Sequence, residues 1–276
     1  MSSTATTLVP PKTRETSANK TAHHWPEYLI EAGALGTFML SACIFCALLE
    51  HSASPLHQAI ASAVVRRCLM GVLMGATAIA IIYSRWGKRS GAQMNPSVTL
   101  SFLSLGRISR RDALFYVGAQ FVGGALGVGI ASTLLGKWIS HQSVNYAVTK
   151  PGGAGIAIAF MAEFVISFVL FLVVLHSNAQ PKLMRFTGLI VGSLVCLYIS
   201  LEAPFSGMSM NPARSFASAV WPGFWASQWI YFVAPPIAML LAAELFKRGK
   251  RADKGCAKFV HDPKYSCIFC GHPGRQ

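Results

Sequence analysis

Apolar residues run along the chain in six long blocks, roughly 28–49, 64–84, 113–135, 154–175, 186–203 and 226–246, parted by short polar, basic or glycine-rich stretches. Each block has, or nearly has, the ~20 residues a helix needs to cross the hydrocarbon of a bilayer. A soluble domain of this size can bury a core, but it has no room for apolar windows of such length. The pattern therefore predicts membrane-spanning helices. Two further apolar runs, one after Asn95-Pro96 and one after Asn211-Pro212, are too short to span.

Those two runs open on matching words. Gly91-Ala92-Gln93-Met94-Asn95-Pro96-Ser97 answers to Gly207-Met208-Ser209-Met210-Asn211-Pro212-Ala213-Arg214. Asn is a good helix N-cap, and Pro at the first helical position gives up only an N–H that would have been unpaired. Each word thus predicts a helix that begins inside the membrane. A second pair repeats as well: Glu31 heads the first apolar block and Glu163 the fourth, each two blocks before an Asn-Pro word. Three spans per half is an odd number, so the halves must insert in opposite directions. The predicted fold class is an all-α membrane protein, with six transmembrane helices and two re-entrant half-helices in an inverted repeat. Its channel domain covers 28–246, with a first repeat at about 28–138, a second at about 154–246 and a polar link near 140–151. Residues 1–27 read as a disordered tail, and 247–276 as a basic tail containing Cys and His.

A helix that starts at mid-membrane exposes unpaired N–H groups and about half a positive charge. Lipid cannot satisfy them, so the site must line a wet cavity or be buried in protein. Two such ends arriving from opposite sides would bring Asn95 and Asn211 together, with their amide N–H groups offered to whatever passes. Arg214 follows Asn211 closely. An arginine at that depth costs roughly 2.5–3.5 kcal/mol on insertion scales, so it is expected to face water. Glu31 and Glu163 fit better as buried acceptors for the loop N–H groups than as groups that touch a permeant.

With these residues in hand, the chain resembles the aquaporin (major intrinsic protein) family. The likeness covers about 28–246 and rests on the two acids, on Ser-Gly-Ala-x-x-Asn-Pro and on Ser-Gly-x-x-x-Asn-Pro-Ala-Arg-Ser. Ser97 stands where the family most often has Ala. The resemblance implies an hourglass fold, homotetramers of independent pores, and passive single-file passage of water or small neutral solutes without protons or ions. The pore motifs would be Asn95, Pro96, Ser97 and Asn211, Pro212, Ala213. Counting from them places the family's selectivity constriction at Met74, Ile199, Met208 and Arg214, with Gly75 a rival for the first position. Two methionines and an isoleucine imply an apolar, adaptable opening suited to glycerol, urea, hydrogen peroxide or ammonia. Ser215, Ala219, Tyr231 and Phe232 instead resemble the water-selective branch. Water is the first expectation and broader neutral-solute passage the second. A coupled secondary transporter also uses inverted repeats, and a non-conducting scaffold is a third reading. No nucleophile, base and orienting group occur together, so an enzyme is not expected.

Charge then fixes orientation. Of 276 residues 53% are apolar and 12% charged, with a formal net charge of +14. Lys12, Arg14, Lys20, Arg85, Lys88, Arg89, Arg107, Arg110, Arg111, Lys182, Arg185 and the tail all fall on one side of a six-span topology, leaving Arg66, Arg67, Lys137 and Lys150 opposite. The positive-inside rule makes the rich side cytoplasmic, with both termini there, in a multi-pass protein of the cell membrane that touches lipid and no nucleic acid. The channel itself calls for no cofactor. In the tail, Cys256, His261, Cys267, Cys270 and His272 form Cys-x4-His-x5-Cys-x2-Cys-x-His, a candidate zinc set whose basic neighbours oppose a cation.

Overall fold

A computed structural model describes residues 17–249 and 255–274. The spanning helices are α1 (Ser17–Glu50), α2 (Ala63–Tyr83), α4 (Arg110–Leu135), α5 (Ile156–Asn178), α6 (Thr187–Leu201) and α8 (Trp229–Lys247), and the half-helices are α3 (Pro96–Ser104) and α7 (Pro212–Val220). Five of these are long and apolar enough to span, while α6 has 15 residues, about 22 Å at 1.5 Å per residue. One-turn helices, Pro181–Met184 and Ala203–Ser206, flank α6 and complete the crossing.

The expected disordered tail 1–27 needs correction at its end. Residues 1–16 lie outside the described residues, but helix begins at Ser17. Polar partners hold this extension: Glu27 is buried and paired with Arg89 at 2.8 Å, and Asp112 takes bonds from Tyr28 (2.6 Å) and His24 (2.8 Å). A reading of apolar runs passes over such anchors.

Packing follows a two-fold rule. In the first half α1 lies along α4, and in the second α5 lies along α8; α2 and α6 pair across the axis. The half-helices cross over, α7 against α4 and α3 against α8. Glycines permit the closest approaches. A Cβ on Gly127 would fall 2.2 Å from the Gly36 carbonyl oxygen, and one on Gly75 would fall 2.5 Å from that of Gly192. Small residues thus let α1 meet α4, and α2 meet α6, backbone to backbone. Large apolar side chains such as Leu29, Val72, Leu114, Leu126 and Leu134 remain on the outside, more than half exposed, as a lipid-facing surface requires.

Candidate pore between two half-helices

Each half-helix is held by the same set of parts. Asn95 and Asn211 sit in extended backbone (φ −154° and −150°) and cap the helices that start at Pro96 and Pro212. Asn95 Oδ1 accepts from Ser97 N–H (2.8 Å), and Asn211 Oδ1 from Ala213 and Arg214 N–H (3.0 and 3.2 Å). In the loops before them, Ala92, Met94, Met208 and Met210 take positive φ of 49–55°. Such alternation turns successive N–H groups to one side and makes an anion-binding concavity. Glu31 fills the first: Oε1 accepts from Ser90 Oγ and Gln93 N–H (2.8 and 3.0 Å), Oε2 from Met94 N–H and Gln120 Nε2 (2.7 and 3.1 Å). Glu163 fills the second: Oε1 accepts from Ser206 Oγ and Ser209 N–H (2.7 and 2.6 Å), Oε2 from Met210 N–H (2.7 Å). Both acids are fully buried.

The loops are further tied by partners that the apolar pattern hid. Tyr116 Oη donates to Ser90 O at 2.8 Å, and Tyr231 Oη to Ser206 O at 2.5 Å. The two tyrosines occupy equivalent places in the repeat, and aligning one half on the other is the signal that finds them.

At the centre the halves exchange bonds. Asn95 Nδ2 donates to Met210 O and Asn211 Nδ2 to Met94 O, each at 2.7 Å. One N–H of each amide is thereby used between loops, where the sequence reading had offered both to the permeant. An amide carries two, so one remains.

Both asparagines line a cavity of about 490 Å³ whose lining extends from Ile82 and Phe259 to Glu50, Arg67 and Lys150. Met74, Ile199, Met208 and Arg214 line it too, while Gly75 turns away onto α6. Met70, Met74, Ala78 and Ile82 make one wall at helical spacing, and Val98, Leu170, Val191 and Val195 add further apolar lining. Arg214 touches Ser218 Oγ at 3.5 Å, and among the described residues no carboxylate pairs with it. Glu50, Arg67 and Lys150 line the mouth beyond it. Ser215, Ala219, Tyr231 and Phe232, which pointed to the water-selective branch, lie outside the lining; Ser215 is spent on Ser209 and Thr149.

The sequence matches the major intrinsic protein family over residues 18–246. This chain belongs to that family. Similar major intrinsic proteins include a probable aquaporin NIP7-1 of Arabidopsis thaliana, 28% identical over 245 residues, or 88% of this chain and 84% of the relative. Aquaporin C of Dictyostelium discoideum is 31% identical over 188 residues, 67% of this chain and 68% of its own. The X-ray structure of the aquaglyceroporin from Plasmodium falciparum shares the fold, with a TM-score of 0.64 over 81% of this chain and 95% of that one at 18% identity. As a major intrinsic protein, the chain is a membrane protein and a passive channel for water and small solutes; a coupled carrier is not favoured.

Ser97, the departure from the family word, keeps its backbone bond to Asn95, but its buried hydroxyl has no partner among the described residues. An unsatisfied buried hydroxyl costs about 1 kcal/mol or more. Ser97→Ala should therefore raise the melting temperature of the detergent-solubilised channel by a few degrees and leave permeation unchanged. A lower melting temperature would mean that the hydroxyl is bonded in the membrane.

Proposed function

We propose that this channel passes water, and with it small neutral solutes of the size of glycerol or urea, in single file, while turning back protons and cations. The observation that carries the reading is the reciprocal pair of amide bonds at the meeting of the half-helices, inside the cavity that Arg214 also lines. The remaining N–H of each asparagine, with two helix N-termini of about half a positive charge each, makes the midpoint rich in donors and positive in potential. A water there accepts with its oxygen and directs its hydrogens toward both mouths. That breaks the consistently oriented chain which proton hopping requires. Arg214 adds a full positive charge, and Arg67 and Lys150 stand at the same mouth.

Met74, Ile199 and Met208 are the proposed narrowing beside Arg214. Their side chains are apolar and two are flexible, so they select by width with few hydrogen-bonding demands. The face that carries Lys88, Arg89, Arg107, Lys182 and Lys247 is assigned to the cytoplasm, and the exposed apolar flanks to lipid and to neighbouring subunits of a homotetramer. No catalytic role is proposed.

Swelling of proteoliposomes tests the reading. Under a sucrose gradient, vesicles holding the protein should shrink much faster than empty ones. Under glycerol or urea gradients they should then re-swell. Fast water efflux with both solutes excluded would restrict the pore to water, and efflux no faster than that of bare lipid would overturn the reading.

A further inference from the structure

Beyond α8 the chain returns to the channel. Residues 255–274 form a knot of turns against the face that carries Lys88 and Arg107, and the contacts are specific. Phe259 N–H donates to Gly91 O (3.1 Å), Gln93 Nε2 to Ala257 O (2.9 Å) and Asn178 Nδ2 to Lys258 O (2.8 Å). Lys88 pairs with Asp262 at 3.1 Å, and Tyr116 meets Phe269 edge-on with ring centroids 5.8 Å apart. Gly91 and Gln93 belong to the loop that leads into Asn95, so the tail is bonded to the pore wall itself. Phe259 is 3% exposed and lines the same cavity as Asn95.

So short a segment has no core of its own, and chains below about 40 residues usually need a metal, a disulfide or a partner. The channel is one such partner, and a cluster within the segment offers a second brace. The ligand atoms of Cys256, His261, Cys267 and Cys270 all lie within 4.8 Å of one another. Cys256 Sγ is 3.4 Å from Cys267 Sγ, and His261 Nε2 is 3.3 Å from Cys270 Sγ. Tetrahedral zinc, with Zn–S of about 2.3 Å and Zn–N of about 2.0 Å, spaces its ligand atoms by about 3.5–3.8 Å. The four atoms are within about an ångström of that arrangement. The Cys267–Cys270 stretch is a turn closed by Gly271 N–H to Cys267 O (3.0 Å) and Cys267 N–H to His272 O (2.8 Å), with Gly271 at φ +73°. His272, the fifth residue of the sequence set, stands outside the four, its Nδ1 accepting from Gly274 N–H at 3.1 Å.

The basic neighbours, which counted against a cation in the sequence, take the opposite sense here. Lys258 is 1% exposed, with its ammonium on Lys88 O and Ser266 O (3.0 and 3.1 Å). Three thiolates outweigh one divalent ion by a single negative charge, which supplies this buried lysine with a counter-charge.

We propose that Cys256, His261, Cys267 and Cys270 bind one zinc ion, and that the metal seats the tail as a cap that holds Phe259 in the channel mouth and slows permeation. The cap rests on the channel reading; the metal site does not.

Full-length protein should carry about one zinc per chain by atomic emission, and the double variant Cys267→Ser/Cys270→Ser none. Cobalt exchanged for zinc should give the thiolate charge-transfer and d–d absorption of a tetrahedral site. A wild type that is free of zinc and gives no such cobalt spectrum overturns the site, as does a disulfide found in its place. Stripping zinc with a chelator should speed water efflux from wild-type proteoliposomes to the level of Phe259→Ala, and leave the double variant unchanged. Bound zinc with efflux indifferent to the chelator overturns the cap. Zinc-loaded protein that conducts no water in any state faults the channel reading and leaves the metal site standing.

Discussion

Glu163→Ala should abolish water permeation and sharply reduce the yield of folded channel. The carboxylate takes the Ser206 hydroxyl and the N–H groups of Ser209 and Met210. Alanine leaves all three donors buried with nothing to accept them, at about 1–3 kcal/mol each, against a total stability of about 5–15 kcal/mol. Unlike a helix, the loop has few backbone bonds to fall back on, and the acid is the main acceptor that holds the positive φ values at Met208 and Met210. Glu163→Gln keeps one acceptor oxygen and turns an amide NH2 toward backbone donors, so it should fall between. Thermal unfolding in detergent and vesicle swelling read both effects. A Glu163→Ala channel that melts and swells like wild type would remove the loop-holding role. Glu31, with four donors, should behave in the same way.

Arg214→Val should leave water efflux near its wild-type rate and open a leak to small cations. The guanidinium lines the cavity, and among the described residues no carboxylate forms a contact ion pair with it, so its charge acts on what enters. At about 5 Å and an effective dielectric near 20, repulsion of a monovalent cation is about 3 kcal/mol, about a hundredfold in rate. Dissipation of an imposed potassium or pH gradient across proteoliposomes measures it. An unchanged leak would assign cation exclusion to the half-helix ends alone.

How much of this was legible beforehand depended on the kind of signal. Asn95-Pro96 and Asn211-Pro212 carry their meaning locally, because a capping amide followed by proline dictates a helix start wherever it occurs. Glu31 and Glu163 stood out because an acid in an apolar block needs buried partners. The partners were silent. Ser90, Tyr116 and Gln120 look the same in a sequence whether they face lipid, solvent or a carboxylate. Met74 came from counting against the family words, but the rest of its stripe, Met70, Ala78 and Ile82, was mute, since α2 is apolar on other faces too, and only its contact through Gly75 with α6 shows which side remains. Phe259 was beyond reach altogether. It meets the loop before Asn95 across most of the chain, and no spacing rule connects them.

The swap of amide bonds at the centre makes each half depend on the other. A single half, alone, would have an asparagine and a backbone oxygen with nobody to bond. Two identical copies laid head to tail would satisfy both at once, since each gives what the other lacks. Each Asn-Pro loop is therefore completed only by its counterpart, and a disturbance at Met94 or Met210 reaches the opposite half through a single bond.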